Sequence, residues 1–378
     1  MRTLRLSCAA SLLVAACVSS DVPRTKAQIA IRDAAAFEAL PSLAFFPDRP
    51  LCADPVACLT PVRPYAVVSA NGDVVLLTAS GRGAEVGRVH AGTDSAVRVG
   101  REGSGPGEYR IPGLLGLSNS GDALVFDIVA RRTLRFASDG TVLSTALVTL
   151  PPAPLGGFGF VDGELRILST DVPKAAGDSL PVYVFALDSG ASAARRRNAI
   201  ELRQPAYGLM ELRAPPQLFT PAAFFALRED GVVAFVDGAK MSLALFDAAG
   251  ALVRQIGFDL EPRTPSESDI AEARALRLRG FPPGRMREAA ERALTQSTQS
   301  RMPLVTGIVA MHDGELWLRG APNARGTTVE WLVCAPNGEP LRRVTAPVDD
   351  AVLGKHGARY LVSRTDEEGS RYWWMTVR

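Results

Sequence analysis

The sequence predicts an all-β protein, a six-bladed β-propeller with a small helical insertion. Three observations support this fold class. The 378 residues include 34 glycines and 27 prolines, which suits a chain with many turns and short strands. β-rich stretches recur along the chain, and each recurrence opens at a glycine turn. A strand–turn–strand unit that returns at intervals of about 40 to 50 residues is typical of propeller blades.

The repeated unit is a polar residue, a glycine and then a run of apolar residues. Glycine at this position supplies the positive φ that a tight hairpin turn requires. The unit occurs at Gly72, Gly121, Gly163, Gly231, Gly314 and Gly357. A second glycine turn follows each of them, as in HAGT and SDGT. The longer intervals contain visible insertions, so the six turns predict six blades.

The ring also needs a strand to close it, because a propeller must hide its edge strands. The last blade, residues 350–378, has only two or three strands of its own. The segment AQIAIRDA, which starts at Ala27, alternates apolar and polar residues as a strand does. We therefore expect this N-terminal strand to form the outermost strand of the last blade, so that residues 27–378 make one propeller.

The first residues are typical of a signal peptide that is removed on export. Arg2 and Arg5 give a short basic start, and the apolar run that follows is too short to span a bilayer. The run ends in VAAC, and small residues before a cysteine resemble the bacterial lipobox. The resemblance implies that residues 1–16 are the signal peptide, that Cys17 is lipidated, and that residues 17–26 form a linker. The alternative is an ordinary secretory signal with an incidental cysteine.

A lipidated Cys17 places the protein in the envelope of a bacterium, as a membrane-anchored lipoprotein that is periplasmic or surface-exposed. The membrane is then its first partner. Residues 1–16 contain two arginines and no acidic residue, so the rest of the chain has equal numbers of basic and acidic side chains. No basic tail or patch remains, and we expect no nucleic-acid binding.

Three cysteines lie beyond Cys17. Cys52 and Cys58 stand on either side of Asp54 and Pro55, a turn that can bring them within bridging distance. Disulfides are typical of exported proteins, so we predict a Cys52–Cys58 disulfide. A metal site lacks the second cysteine pair or the nearby histidines that it would need. Cys334 is expected to be a buried free thiol.

The most glycine-rich stretch is GREGSGPGEYRIP, residues 100–112. A phosphate-binding loop needs the start of a helix directly behind it. Here the glycine spacing differs from G-x-G-x-x-G, and the residues that follow read as a strand and a hairpin. We therefore interpret the stretch as the crossing from the outer edge of one blade to the inner strand of the next, with Tyr109 buried between the two.

This stretch, together with the following GDALVFDIVARRTLRFASDGTVL, resembles the NHL-type repeat of six-bladed β-propellers. More narrowly, it is similar to the six-bladed propeller lipoproteins of environmental and gut bacteria. The match is sharp over residues 98–147 and recognisable over 226–258. NHL-type propellers include binding modules and a few enzymes, so the resemblance implies a fold more than a chemistry.

The helical insertion is predicted at residues 264–298. Thr264 is a candidate N-cap, with Pro265 at the first helical position and Glu267 placed for a capping box. Gly280 ends this helix, and GRMREAAERALTQS reads as a second one. The pair is either a solvated hairpin packed over one mouth of the ring or a lid that contributes arginines to a ligand site. The arginines concerned are Arg274, Arg277, Arg285 and Arg292.

Signs of catalytic chemistry are weak. Gluconolactonases and related lactonases resemble this scaffold and hold a divalent cation, and their resemblance makes Asp127 and Asp237 weak metal candidates. In NHL-type repeats, however, an aspartate after the strand usually holds the next turn. The three histidines, His90, His312 and His356, show no metal-binding spacing, and there is no G-x-S-x-G elbow.

Two functions therefore remain open, and no catalytic residue is nominated. The favoured one is a non-enzymatic binding or scaffold module for an unidentified protein, peptide or glycan at the envelope, without a cofactor. The alternative is a metal-dependent lactonase or hydrolase that uses the channel mouth, with Ca²⁺ as its possible ion. Converging carboxylate oxygens in the channel would favour the hydrolase. Apolar and basic groups would favour binding.

Overall fold

The computed structural model confirms the β-propeller. It describes residues 27–54, 57–59, 65–80, 83–118, 120–150, 159–161, 164–170, 182–187, 195–200, 218–278, 283–296, 299–366 and 369–378. The predicted signal peptide, Cys17 and the linker lie outside the described residues. Two strands open the described chain, β1 (Gln28–Arg32) and β2 (Ser42–Pro50), with the short helix α1 (Ala34–Glu38) between them.

The first three blades are antiparallel four-stranded sheets in chain order from the inside outward. Blade 1 consists of β3 (Ala66–Val68), β4 (Val74–Ser80), β5 (Gly83–Val89) and β6 (Ala96–Arg98). A small parallel pair follows, β7 (Arg101–Glu102) and β8 (Glu108–Tyr109). Blade 2 consists of β9 (Pro112–Leu117), β10 (Ala123–Asp127), β11 (Arg132–Phe136) and β12 (Val142–Leu147). Blade 3 consists of β13 (Gly159–Val161), β14 (Glu164–Thr170), β15 (Val182–Leu187) and β16 (Arg195–Ile200).

The other three blades carry the insertion and the ends of the chain. Blade 4 consists of β17 (Ala223–Leu227), β18 (Val233–Asp237), β19 (Met241–Phe246) and β20 (Leu252–Phe258). The helices α2 (Glu267–Leu278) and α3 (Arg285–Gln296) come next. Blade 5 consists of β21 (Val305–Ala310), β22 (Leu316–Pro322), β23 (Thr328–Cys334) and β24 (Pro340–Pro347). Blade 6 consists of β25 (Asp350–His356), β26 (Arg359–Asp366), β27 (Gly369–Val377) and β2.

An apolar cluster fills the space between each pair of neighbouring blades. Between blades 5 and 6, the fully buried Trp317 stacks on Phe45, with the ring centroids 5.8 Å apart. Between blades 6 and 1, Trp374 and Leu361 pack against Val74. Because the last and first blades share a cluster as the others do, the ring is closed.

The strand that closes the last blade is N-terminal, but it is not the predicted one. β2 pairs antiparallel with β27, from Phe45 opposite Val377 to Pro50 opposite Trp373. Its first residues also pair in parallel with β24 of blade 5. The predicted segment AQIAIRDA instead forms β1, a parallel fifth strand on β20 at the outer edge of blade 4.

The sequence of β2, SLAFFPDRP, did not predict a strand because it contains two prolines, Pro47 and Pro50. A proline cannot donate a hydrogen bond to a neighbouring strand, so this sequence does not read as a strand. At the edge of a sheet, however, only one side of the strand is paired, and proline is tolerated there. The register against β27 shifts between Pro47 and Arg49, which absorbs the irregularity.

The glycine turns and the glycine-rich crossing are confirmed. Gly72 and Gly314 have φ of 93° and 85°, as the hairpin turns require, while Gly163 lies outside the described residues. Residues 99–111 carry the chain from β6 to β9, the inner strand of blade 2. Tyr109 is fully buried between blades 1 and 2, where its hydroxyl donates to the Val99 carbonyl at 3.1 Å and accepts from Val86 N–H at 3.0 Å.

The insertion forms the two predicted helices, but α2 begins later than expected. Its N-cap is Ser266, whose hydroxyl accepts from Asp269 N–H at 3.2 Å while the Asp269 carboxylate accepts from Ser266 N–H at 2.7 Å. This reciprocal capping box replaces the predicted one at Thr264. Leu278 and Leu294 bury their side chains between the helices, together with Leu218.

The Cys52–Cys58 disulfide is present, with its Cα atoms 6.1 Å apart, inside the cluster between blades 6 and 1. Cys334 is a buried free thiol, and burial raises its pKa to about 12. No helix in the described ranges has the length and apolar character to span a membrane.

The two N-terminal strands should differ sharply in their effect on stability. Phe45→Ala removes a ring that stacks on Trp317, and we expect it to lower the free energy of unfolding by about 2 kcal/mol or more. Ile31→Ala in β1 is the matched control, because Ile31 is 54% exposed and its loss should cost less than about 0.5 kcal/mol. Urea denaturation of both variants measures the difference. Equal losses would contradict closure by β2.

Candidate functional site

A cavity of about 280 Å³ lies on the axis of the ring. The inner strand of every blade contributes to its wall, so it is the central channel of the propeller. Most of its wall is apolar. Representative side chains are those of Val67, Leu115, Phe160, Phe225 and Ile308.

Three charged or imidazole side chains line this cavity among the described residues: Arg228, Glu229 and His312. All three stand where an inner strand ends and its hairpin turn begins. Glu229 precedes Gly231 by two residues, and His312 precedes Gly314 by two. The same position in neighbouring blades therefore puts both side chains at the same mouth of the channel.

Arg228 does not serve as the counter-ion of Glu229. Its guanidinium donates to the Asp230 carboxylate at 2.5 Å and to the Pro336 carbonyl. Burial raises the pKa of Glu229, and the charge of Asp230 raises it further. The Glu229 carboxyl therefore holds its proton to a higher pH than an ordinary glutamate does.

His312 is held toward its neutral form. Burial lowers its pKa, and the positive charges of Lys355 and His356 lower it further, while Asp313 acts in the opposite direction. Its Nδ1 atom is buried and has no hydrogen-bond partner among the described residues. A buried polar atom without a partner is unfavourable.

A buried network beside His312 fixes the edges of blades 5 and 6. The Glu315 carboxylate accepts from Trp317 Nε1 at 3.1 Å, from Arg342 at 3.0 Å and from the Tyr360 hydroxyl at 3.3 Å. Lys355 lies 3.3 Å from the same carboxylate and 2.6 Å from Asp313. Because each of these groups has a partner, the network supports the mouth of the channel and leaves ligand contacts to His312 and Glu229.

The two weak metal candidates lie outside the cavity lining, and turns occupy their carboxylates. Asp127 is fully buried and accepts backbone N–H bonds of 2.7 to 3.3 Å from Arg110, Ile111, Val129 and Ala130. Asp237 accepts from Ala239 N–H at 3.0 Å. Within the described ranges, no three His, Cys, Asp or Glu side chains form a group that could hold a metal ion.

The helical insertion gives no described residue to the cavity wall. Arg285 and Arg292 are exposed to solvent and Arg274 is half-buried, while the side chain of Arg277 lies outside the described residues. Sequence reasoning did not single out Glu229, and it treated His312 only as a failed metal ligand. The signal that could have found both is their shared position, two residues before the hairpin glycine of consecutive blades.

No family model and no curated protein matches the sequence. Among solved structures, a member of the DUF4221 family from Bacteroides vulgatus aligns with TM-score 0.53 and 10% identity, covering 90% of this chain and 97% of that chain. Regucalcin from Agrobacterium tumefaciens, a calcium-binding protein, aligns with TM-score 0.41 and 13% identity over 89% and 97%. Virginiamycin B lyase from Staphylococcus aureus aligns with TM-score 0.40 and 11% identity over 88% and 99%. At 10% identity, the alignment with the DUF4221 member shows similarity of fold alone.

His312 should make the stability of the protein depend on pH. The unfolded chain takes up the histidine proton near pH 6.5, whereas the folded protein takes it up only at lower pH. The unfolded state then binds more protons in this window, so the free energy of unfolding should fall as the pH decreases below about 6.5. The fall should be smaller in His312→Gln, measured by urea denaturation at each pH.

Proton NMR supplies the direct measurement. The imidazole resonance that disappears in His312→Gln should titrate below 6.5 in the wild-type protein. A titration at or above that pH would show that burial does not govern this side chain.

Proposed function

We propose that this chain is an exported, lipid-anchored binding protein of a bacterial envelope. Its central channel holds a small ligand that has an apolar body and an uncharged, hydrogen-bonding end. The observation that carries this proposal is the apolar cavity on the ring axis with Glu229 and His312 at one mouth. A largely apolar cavity with a few convergent polar groups is the common form of a ligand site.

The apolar wall selects the body of the ligand. The volume of about 280 Å³ is near the lower limit of ligand pockets, about 300 Å³, so the ligand is small. Binding is driven by removing apolar ligand surface from water against side chains such as Phe225 and Ile308. The stiff ring keeps these side chains in place before the ligand arrives, which reduces the entropic cost of binding.

The two groups at the mouth select the end of the ligand. Desolvation raises the pKa of Glu229 and lowers the pKa of His312, and both shifts act against the charged form. A hydroxyl, amide or carbonyl group can bond to the Glu229 carboxyl and to the His312 imidazole. These contacts give orientation, and the apolar wall gives affinity.

Binding fits the described lining better than metal-assisted hydrolysis. A calcium site needs several oxygen ligands that converge on one point. Glu229 is the one carboxylate that lines the channel in the part of the chain that the structure describes. Asp127 and Asp237, the acids that the lactonase resemblance nominated, hold turns.

Three features support export and anchoring. Residues 1–16 have the form of a signal peptide, and Cys17 follows small residues as a lipidated cysteine does. The Cys52–Cys58 disulfide suits an oxidising compartment. The resemblance of residues 98–147 to the NHL-type repeats of bacterial propeller lipoproteins agrees with export and with lipid anchoring.

Channel binding can be tested with N-phenyl-1-naphthylamine, a small apolar probe that fluoresces when it leaves water. The wild-type protein should enhance its fluorescence in a saturable way. Ala310→Phe places a ring in the cavity wall and should weaken binding at least tenfold. Ala275→Phe is the matched control, because Ala275 is exposed on α2, and it should bind as the wild type does.

Leu117→Trp fills the same cavity from blade 2 and serves if Ala310→Phe does not fold. Equal binding by filled and control variants would contradict the channel site. Ca²⁺ or EDTA should change neither probe binding nor the melting temperature. A Ca²⁺-dependent rise in melting temperature would instead favour the hydrolase.

Lipidation is tested by metabolic labelling of cells with an alkyne analogue of palmitate. The wild-type protein should be labelled, and Cys17→Ser should lose the label and the membrane attachment. Cys8→Ser is the matched control, because Cys8 lies in the leader that is removed, and its label should remain. Labelling of Cys17→Ser at the wild-type level would contradict the anchor.

A further inference from the structure

A second cavity, of about 220 Å³, lies at the seam where blade 6 meets blade 1. It is separate from the central channel, and its wall is rich in basic side chains. Four such side chains line it: Arg49, His90, His356 and Arg359. Trp374 forms an apolar part of the same wall.

Strand pairing explains how blade 6 brings its three basic groups together. Arg49 of β2 stands opposite Trp374 of β27, and Trp374 stands opposite Leu361 of β26. Directly paired residues share a face of the sheet, and so do residues two apart in a strand. Arg359, two residues before Leu361, and its partner His356 therefore lie on the same face as Arg49.

Blade 1 supplies the opposite wall through the turn at residues 90–93 and through Gly72. His356 packs tightly on Gly72, since a Cβ atom there would lie 2.9 Å from His356 Cδ2. The imidazole Nδ1 of His356 is 3.2 Å from the Ala70 carbonyl oxygen. A bond of 2.8 Å from Ala53 N–H to the Asp94 carbonyl ties the disulfide loop to the same turn.

The positive charge in this cavity is not neutralised. Arg49 has no ion pair among the described residues, and its Nε atom is buried without a hydrogen-bond partner. Arg359 lies 3.3 Å from Asp48, but both side chains are more than 40% exposed, so water screens this pair.

On the side of blade 1, the Asp73 carboxylate lies 3.8 Å from His90. This carboxylate already accepts from the Arg88 guanidinium and from Ala91 N–H. The basic groups of the cavity therefore exceed the acidic groups that are available to them.

We propose that this seam cavity binds a small oxyanion, the phosphate or sulfate group of a free ion or of a larger envelope molecule. Planar guanidinium groups such as those of Arg49 and Arg359 donate paired hydrogen bonds to such oxygens. The imidazole of His90 can add an N–H donor, whereas the Nδ1–H of His356 is already directed at the Ala70 carbonyl oxygen. The apolar surface of Trp374 leaves space beside the anion for the carbon atom that carries an ester.

The bound anion also joins the two ends of the ring. Arg49 comes from the closing strand β2, whereas His90 comes from blade 1, so one ligand contacts both sides of the seam. A ligand that binds only the closed ring stabilises it by mass action. This site is independent of the proposed ligand in the central channel.

The experiment measures the melting temperature of the full mature chain during titration with inorganic phosphate or sulfate. Sodium chloride holds the ionic strength constant, because salt screens surface charges by itself. We expect a saturable rise in the wild type. In Arg49→Gln and in Arg359→Gln, the anion concentration that gives half of the rise in melting temperature should be at least tenfold higher. Arg287→Gln is the matched control, since Arg287 is exposed on α3 and pairs with Glu291 at 3.2 Å, and its response should match the wild type.

Arg49→Lys keeps the charge but loses the planar fork, and it serves if Arg49→Gln does not fold. Its response should be weaker than that of the wild type. A separate titration with glycerol 1-phosphate distinguishes a free ion from an ester group on a larger molecule. Tighter binding than that of inorganic phosphate indicates the ester group. Equal binding indicates the free ion. A rise of equal size with chloride alone, or in Arg49→Gln, would overturn the proposal. Probe binding in the channel should be unchanged in these variants. The proposals for the channel and for the seam cavity are therefore tested independently.

Discussion

Each blade of this protein is a small sheet that cannot bury both of its faces by itself, so its stability depends on the blades beside it. This holds for every blade of the ring, because the last blade packs against the first. The chain meets this requirement by bringing its start to its end, because β2 completes blade 6 beside β27. Phe45, Trp317 and Tyr360 pack around this junction.

Closure also determines where ligands can bind. The inner strands all run in the same direction along the axis, so the residues just after them collect at one end of the channel. A side chain that would be a solvated turn residue in an isolated hairpin becomes part of a shared mouth. Partial desolvation at this mouth raises the pKa of Glu229 and lowers that of His312. Closure also forms the seam cavity, because it brings together Arg49 and His90, which are distant in sequence.

Local features were readable from the sequence, and long-range ones were not. The hairpin glycines, Tyr109 in the crossing and the Cys52–Cys58 bridge each follow from a few neighbouring residues. The closing strand was missed because Pro47 and Pro50 hide its pattern, and only an edge position makes them acceptable. An alternating segment, AQIAIRDA, was chosen instead, although Ile29 and Ile31 in fact face solvent.

The site was less predictable than the fold because its residues carry no motif. Glu229 and His312 look like ordinary turn residues until the ring places them together. Ser266 shows the same limit on a small scale, since the choice between it and Thr264 as N-cap depends on where Asp269 bonds.

The order of β1 and β2 has a mechanical meaning. A pull on the N-terminal end of the chain reaches β1 first, and five residues in parallel register hold this strand to β20. Its two isoleucines are largely exposed, so little buried surface resists its release. Release of β1 would leave β2 paired with β27, because the two strands belong to different blades. The pairing that closes the ring thus does not depend on β1.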